Sequence, residues 1–438
     1  MGGQLGVFFY KTALIGLGFL LLLMFGGSTQ SVLMIWGVAT AGYLGAQWVH
    51  QSTSLVLRKR LSLSAVPLCF LLIVILNMTG WIGTLTGAGN SSENFILLLA
   101  APFYFLSIAA YFSDVSAGKK QPSKYMDYLL YVSLPFKLLA GPLEQPNLLN
   151  QIAVLKPKLR TTYVLIAWPW LVLGAFMKFV IANRLDPAIN LNETDPLSVL
   201  LTASVFELKF YFDFAGYSFM AYGLALMSGL KITHNFEHPF FAPNVVLFWR
   251  RWHMSLGRFL SRYVLEPNLR FIKSRNIKEI FAASIFIVSA MWHGGTINYL
   301  FWGLFHGICY YAYIKFIKHL SVPKAVGVVS MLLFFIMGRF FATDANTDRL
   351  LQKIFNLANP MSYVQYFTEF HLSYLVQMPE VKAVLLALVF FFIEAYSIRR
   401  YTLARPYHFF RKPIAGLLLL CMILVFAQPS GNLLYARI

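Results

Sequence analysis

Long apolar runs separated by short polar or basic connections fill the chain from end to end. Each is near the length a helix needs to cross a bilayer core of about 30 Å. They fall at Gly6–Gly27, Ser31–Trp48, Ser64–Leu85, Asn94–Asp114, Thr161–Ala182, Ser198–Gly229, Glu279–Gly294, Asn298–Lys318, Ala325–Ala342, Ala383–Ile398 and Pro413–Gln428. The pattern predicts an all-α polytopic membrane protein with about eleven transmembrane helices, because a helix satisfies its own backbone where lipid offers no partner. The first run carries Lys11 and no small-residue cleavage motif at its end, so it reads as a retained helix and not a removed signal peptide. Pro135–Pro146, PFKLLAGPLEQP, is apolar but too short and too rich in Pro and Gly to cross. It predicts a re-entrant segment or broken helix shielded by protein. Thr343–Lys382 reads as a long outward connection of mixed charge, a lid or a docking surface. No tandem or inverted repeat is visible, and a single membrane-embedded domain over residues 1–438 is expected.

Composition fixes the solvent. With 58% hydrophobic and 12% charged residues and a mean hydropathy of +0.64, the chain cannot hide its apolar surface in one water-soluble core. A net charge of +19 would suit nucleic acid in a soluble protein, but its placement here points to membrane topology. Arg58 to Arg60, Lys119 with Lys120 and Lys124, Lys156 to Arg160, Arg270 to Lys278, Lys315 to Lys324 and Arg399 to Lys412 fall in alternate connections. The intervening ones, such as Thr86–Glu93 and Asn183–Leu197, are neutral or acidic. This positive-inside pattern puts the N-terminus in the cytoplasm and the C-terminus outside, and anionic lipid head groups account for the basic partners. No nucleic-acid module is present. Cys69, Cys309 and Cys421 lie in apolar runs at no spacing useful for a disulfide or metal, which makes them packing residues and predicts no metal site.

One stretch puts basic side chains among tryptophans: NVVLFWRRWHMSLGRFLSRY, Asn244 to Tyr263. Drawn as one continuous helix, Phe248, Trp249, Trp252, Leu256, Phe259, Leu260 and Tyr263 share a broad face, Arg251, Arg258 and Arg262 stripe the opposite one, and His253 sits at the border. Two readings fit this pattern. An interfacial helix would turn its arginines to head groups. A cavity wall would use them, with Arg250, to hold a phosphate-bearing ligand, because guanidinium pairs well with phosphate. A second polar cluster, SAMWHGGTINYLFWGLFHG, places His293 at the end of one apolar run and His306 within the next. Imidazoles at membrane depth call for a partner or a task, and a neutral histidine suits deprotonation of a hydroxyl near neutral pH. Each could equally be a structural residue bonded to a carbonyl, His306 the more so for its place on a packing face beside Gly307.

FDFAGYSFMAYGLALMSGL (Phe212 to Leu230), NFEHPFF (Asn235 to Phe241), FWRRWHMSL (Phe248 to Leu256) and MWHGGTINYLFWGLFHG (Met291 to Gly307) occur in this order. The chain thereby resembles the membrane-bound O-acyltransferases, in particular the bacterial branch of alginate O-acetyltransferases and the D-alanyl transfer proteins of teichoic acid synthesis. The likeness is dense over residues 211–307 and looser at LLAGPLEQ and MGRFFATDANTDRLLQKIF. It implies a funnel-shaped helical scaffold in the bacterial cytoplasmic (inner) membrane, His293 as catalytic histidine and His253 as the second important one in a shared intramembrane cavity. Trp249, Arg250, Arg251 and Ser255 match motif positions and are expected on the donor side, and Asp213 and Asn235 as structural support. Phe219 stands where alginate-type members usually have Asp, and Met254 is more typical of the alanyl branch. FWGLFHG and the two further spans ending in NLLYARI resemble the alginate-type acetylases.

The resemblance implies an acyl thioester made in the cytoplasm, acetyl-CoA or an acylated carrier protein, used as substrate with no bound cofactor. The acyl group, acetyl in the first reading and D-alanyl in the alternative, would pass to hydroxyls of an extracytoplasmic polymer, with an SGNH-type acyltransferase or polymer-synthesis protein as partner. His293 would act as base, and His253 or the Trp249 indole N–H would steady the oxyanion or hold the acceptor. A secondary transporter is a non-enzyme alternative, but it would show repeat-related halves with paired broken helices. A scaffold with a dead site is the other.

Overall fold

The computed structural model describes residues 2–24, 29–79, 95–137, 141–156, 161–192, 194–293, 297–342, 346–363, 379–401 and 412–427, and every regular element among them is helical. The described chain divides into two compact units. The first is built from Met1–Leu171, Met220–His234 and His253–Lys278, the second from Val172–Phe219, Asn235–Trp252 and Glu279–Ile438. Neither unit is a continuous piece of sequence, so the domain read from the hydrophobic pattern has two compact centres.

In the first unit, α4 (Phe95–Ser116) packs along α2 (Thr29–Gln51) and α3 (Leu55–Thr79), while α1 (Gly2–Met24) and α6 (Leu148–Ala153) pack on α5 (Tyr125–Val132). Helix ends leave carbonyls unsatisfied. At the end of α4 they are met from neighbouring helices: His50 Nδ1 lies 3.0 Å from the Val115 carbonyl, and Arg58 Nε donates to that of Ser116 at 3.1 Å. Lys11 in α1 and Asp127 in α5 form a buried ion pair at 2.6 Å. The stretch expected as a re-entrant or broken helix begins as a single 3-10 turn, Pro135–Lys137. Its buried run from Gly141 to Glu144 has no helix to bond its backbone, and other groups of the unit substitute. Tyr131 donates to the Glu144 carbonyl at 2.7 Å, the Ser255 hydroxyl accepts from Leu143 N at 2.9 Å, and the Glu144 carboxylate accepts from Thr233 N.

The second unit begins where α7 (Thr161–Ala175) runs on into a π-helical turn, Phe176–Ala182, against α8 (Pro196–Met227). Its charges come in pairs, two of them buried and one, with Asp186, partly exposed. Lys178 in the π turn meets the fully buried Asp213, Lys209 meets Asp186, and Arg339 Nε donates to Glu207 at 2.7 Å. Pairing is what makes such charges tolerable at low dielectric. Gly216 lets α8 approach the π turn, because a Cβ there would fall 2.7 Å from the Gly174 carbonyl oxygen and 3.0 Å from Lys178 N. Both are backbone atoms with little room to yield, so Gly216→Ala is expected to destabilise by about 1–3 kcal/mol. Thermal unfolding in detergent reads this directly; an unchanged midpoint would mean that the two segments can separate freely. After α13 (Lys324–Ala342), the connection Thr343–Lys382 includes α14 (Thr347–Ala358), while its residues 343–345 and 364–378, on which most of the lid or docking-surface reading falls, lie outside the described residues. Leu350 joins Val199, Ala203 and Phe340 in a small core, and Lys353 Nζ donates to the Leu191 carbonyl at 2.8 Å.

Four described helices are long and apolar enough to cross a bilayer: Gln4–Met24, Val32–Gln51, Thr161–Leu185 and Lys324–Ala342, with shorter apolar helices at Val384–Tyr396 and Pro413–Phe426. The expected count of about eleven is not reached among the described residues. Polar content is one reason, since α8 carries Glu207, Lys209 and Asp213 in mid-length. Large apolar side chains stand open on several helices, Phe9 at 61%, Trp48 at 67% and Leu424 at 78% exposure, a surface suited to lipid. Cys421 is exposed on the last of these helices, α16 (Pro413–Phe426), and does not pack inside as the sequence reading has it.

Candidate active site

The stretch from Asn244 to Tyr263 is not one helix. α9 (Val245–Arg251) starts on an Asn244 side chain that accepts from Leu247 N at 2.9 Å, and ends with Trp252 in an extended conformation. His253 then turns left-handed at φ +42° before α10 (Met254–Leu260) begins. The single helical wheel is therefore corrected at this break: Phe248, Trp249 and Trp252 belong to the second unit, and Leu256, Phe259, Leu260 and Tyr263 to the first. No Gly or Pro marks the break; His is among the non-glycine residues that enter this backbone region most readily. Among the described residues the other non-glycine with positive φ is His238, at +52°. Glu237 N, next to it, donates to the Arg251 carbonyl at 3.0 Å, so the NFEHPFF turn is bonded to the end of α9. Backbone held in sparsely populated conformations costs about 1–3 kcal/mol per residue and gathers at functional sites.

On the first unit's side, His253 is buried at 5% exposure and leads α10. The Ser255 hydroxyl, a candidate donor contact, is engaged by Leu143 N. Arg262 is committed as well: it donates to the buried Asp114 at 2.7 Å and to Gln145 at 3.1 Å, while Tyr263 OH donates to the same Asp114 oxygen at 3.1 Å. Arg258 is exposed. The arginine stripe of the sequence thus divides into one structural member and one solvent-facing member here, with Arg250 and Arg251 in the other unit. Arg250 is exposed. Arg251 is half-buried, and that burial pulls its guanidinium below the usual range while Glu237 beside it offsets the pull.

On the second unit's side, α11 (Arg275–His293) ends at His293, whose half-buried ring meets Trp292 edge-on at 4.6 Å and Trp302 at 6.4 Å. His306, in α12 (Ile297–Ala312), is 1% exposed and ringed by Trp302 at 4.4 Å, Phe334 at 4.7 Å and Trp249 at 5.2 Å. Trp249 also packs on Phe286 at 5.0 Å. Asp213 pairs with Lys178, and Asn235 donates to the Ser218 hydroxyl at 3.2 Å. One functional candidate escapes the motif reading: His238 Nδ1 pairs with Glu394 of α15 (Pro379–Tyr401), both buried. The signal was available, because Glu394 interrupts an otherwise apolar run, VLLALVFFFIEAYSI, and an acid at membrane depth implies a partner.

These groups can do two chemical things. The second unit offers an imidazole at a helix end among aromatic rings, fit to take a proton from a hydroxyl, and a half-buried guanidinium fit for an anion. The first holds a second imidazole on a fixed left-handed turn.

A sequence profile of the membrane-bound O-acyltransferase family matches residues 5–337. Over 280 residues the chain is 29% identical to the peptidoglycan O-acetyltransferase of Helicobacter pylori, covering 60% of this chain and 49% of that protein. Over 246 residues it is 29% identical to a protein of Pseudomonas syringae named "Probable alginate O-acetylase AlgI", covering 53% and 44%. Over 166 residues it is 33% identical to the teichoic acid D-alanyltransferase of Bacillus subtilis, covering 33% and 41%. The chain thus spans about half the length of the curated relatives it matches.

Proposed function

Because the chain belongs to the membrane-bound O-acyltransferase family, we propose that it transfers an acyl group, acetyl in the first instance, from a cytoplasmic thioester to hydroxyls of an extracytoplasmic polysaccharide or cell-wall polymer. The acceptor oxygen attacks the thioester carbonyl as His293 takes its proton; the tetrahedral intermediate collapses to the ester and expels the thiol, which recovers the proton. His253 is the second histidine of the reaction, positioning acceptor or oxyanion. The observation that carries the reading is His293 closing α11 against Trp292 and Trp302. Acetyl is favoured over D-alanyl because two of the three relatives are named as acetylating proteins, whereas the 33% identity to a D-alanyltransferase keeps D-alanine as the second substrate to try. An SGNH-type protein or polymer-synthesis complex is the proposed partner outside the bacterial inner membrane.

The test supplies the full chain in nanodiscs with acetyl-CoA, an acetylated carrier protein or a D-alanyl carrier protein, and follows thioester loss together with ester formation on polymer. No thioester loss beyond protein-free discs, with any donor and with an SGNH-type partner added, would sink the acyltransferase reading. The proposed sidedness follows the basic connections: a cysteine at exposed Gln121 should react with reagents reaching the cytoplasm, and one at exposed Asn192 only from outside. Labelling of both from one side would refute it.

Donor binding is assigned to Arg250 and Arg251, with Trp249 beside them. Arg262 is left out because Asp114 and Gln145 already hold it. Arg251→Gln should raise the donor KM by about tenfold and change kcat less, since a contact made equally in ground and transition states acts on KM. Lysine should recover only part of the loss, because a point charge lacks the guanidinium fork. Unchanged donor kinetics with a new dependence on anionic lipid would instead make α9 an interfacial anchor.

A further inference from the structure

Among the buried polar atoms of the second unit that have no hydrogen-bond partner, two belong to adjacent rings. Trp249 Nε1 and His306 Nδ1 are both shut away from solvent and unbonded. The rings stand edge to face with centroids 5.2 Å apart, and Phe286, Phe334 and Phe335 around them offer no acceptor. Leaving one such group unsatisfied costs about 1–3 kcal/mol, so two neighbouring ones imply an atom that satisfies them when the protein works. The imidazole is also held from behind. A Cβ on Gly338 would come within 2.5 Å of His306 Nε2, so the backbone of α13 lies directly against that edge and leaves Nδ1 as the free one.

We propose that Trp249 Nε1–H and His306 Nδ1–H together bind the carbonyl oxygen of the transferred acyl group, making His306 an acyl-binding residue; this rests on the acyltransferase reading above. Two N–H donors suit one oxygen with two lone pairs, and they suit it better as that oxygen gains charge in the tetrahedral intermediate. The aromatic surround suits a methyl and excludes water. Trp302 flanks both His306, at 4.4 Å, and His293, at 6.4 Å, so the same indole walls the seat and the proposed base.

The probe is a ketone analogue of acetyl-phosphopantetheine, in which a methylene replaces the thioester sulfur, compared with phosphopantetheine itself on the full chain in nanodiscs. It keeps the carbonyl, cannot be consumed, and represents both CoA and carrier-protein donors. Wild type should prefer the ketone. Trp249→Phe and His306→Leu should each lower ketone affinity by about 5- to 100-fold; His306→Leu should leave phosphopantetheine binding unchanged, and Trp249→Phe should weaken the ketone more than phosphopantetheine. The double variant should lose less than the two singles combined, because both donors share one oxygen. His306→Asn, which returns an N–H near the Nδ1 position, should recover part of the loss, and Gly338→Ala should weaken ketone binding by displacing the ring. No ketone preference in wild type, unchanged ketone affinity in the variants, or equal loss of both ligands would each overturn the proposal. If His306→Leu fails to fold, Trp249→Phe decides alone. A protein that prefers the ketone yet acylates no polymer would sink the acyltransferase reading and leave the carbonyl seat standing.

Discussion

His293→Ala is expected to lower polymer acylation by about 10²- to 10⁴-fold, the usual contribution of a positioned general base, while the protein still accumulates in the membrane. The ring belongs to the last residue of α11 and is not among the fully buried side chains. Trp292 and Trp302 flank it and remain to hold the helix end. His253→Ala should also be severely impaired, but for a mixed reason. It removes an imidazole and at the same time changes a left-handed residue, where alanine is strained. His253→Asn separates the two, since Asn tolerates that backbone region without supplying a base. The measurement is initial rate of ester formation per milligram of membrane-inserted protein. Wild-type rates in well-expressed His293→Ala would end the proposed mechanism.

Lys178→Met should be the most damaging single change to stability, about 3–5 kcal/mol, because it leaves Asp213 charged and fully buried with its cation gone. The double variant Lys178→Met/Asp213→Leu should regain most of that loss, since an apolar pair of similar volume carries no desolvation penalty. Unfolding midpoints in detergent, compared for wild type, single and double, give the answer. A double variant no better than the single would mean that the pair is not the principal support of the π turn, and that Gly216 and its backbone neighbours carry that role.

How much of this was legible depended on whether the signal was local. Apolar runs gave α1, α2 and α13 close to their observed limits, because a helix in lipid is specified by its own composition. The Pro135–Pro146 interruption was equally plain from its Pro and Gly content. The break at His253 was not. Its helical wheel looks continuous, and what ends α9 is the bond from Glu237 N to the Arg251 carbonyl, a partner supplied by another turn. Arg262 misled in the same way: its spacing put it in a stripe with Arg251 and Arg258, but Asp114, 148 residues earlier, decides what it does. Four ordered motifs carried the family, whereas His306, set aside for its packing face, shows its interest only once its Nδ1 is found buried and unbonded.

The Asp114–Arg262 bond bears also on how the protein is made. Asp114 is 1% exposed in the finished fold, and both side chains that hydrogen-bond its carboxylate, Arg262 and Tyr263, lie 148 and 149 residues further on. At translation rates of about 5–20 residues per second, the acid waits on the order of ten seconds before its partners leave the ribosome. Throughout that interval α4 carries an unpaired carboxylate at its end, where bilayer surface or translocon water must solvate it. The first unit therefore cannot close as its own helices emerge. Its last polar bonds form only after the chain has passed through Val172–Phe219 and Asn235–Trp252 of the other unit, which ties completion of the older half of the nascent protein to synthesis of the younger.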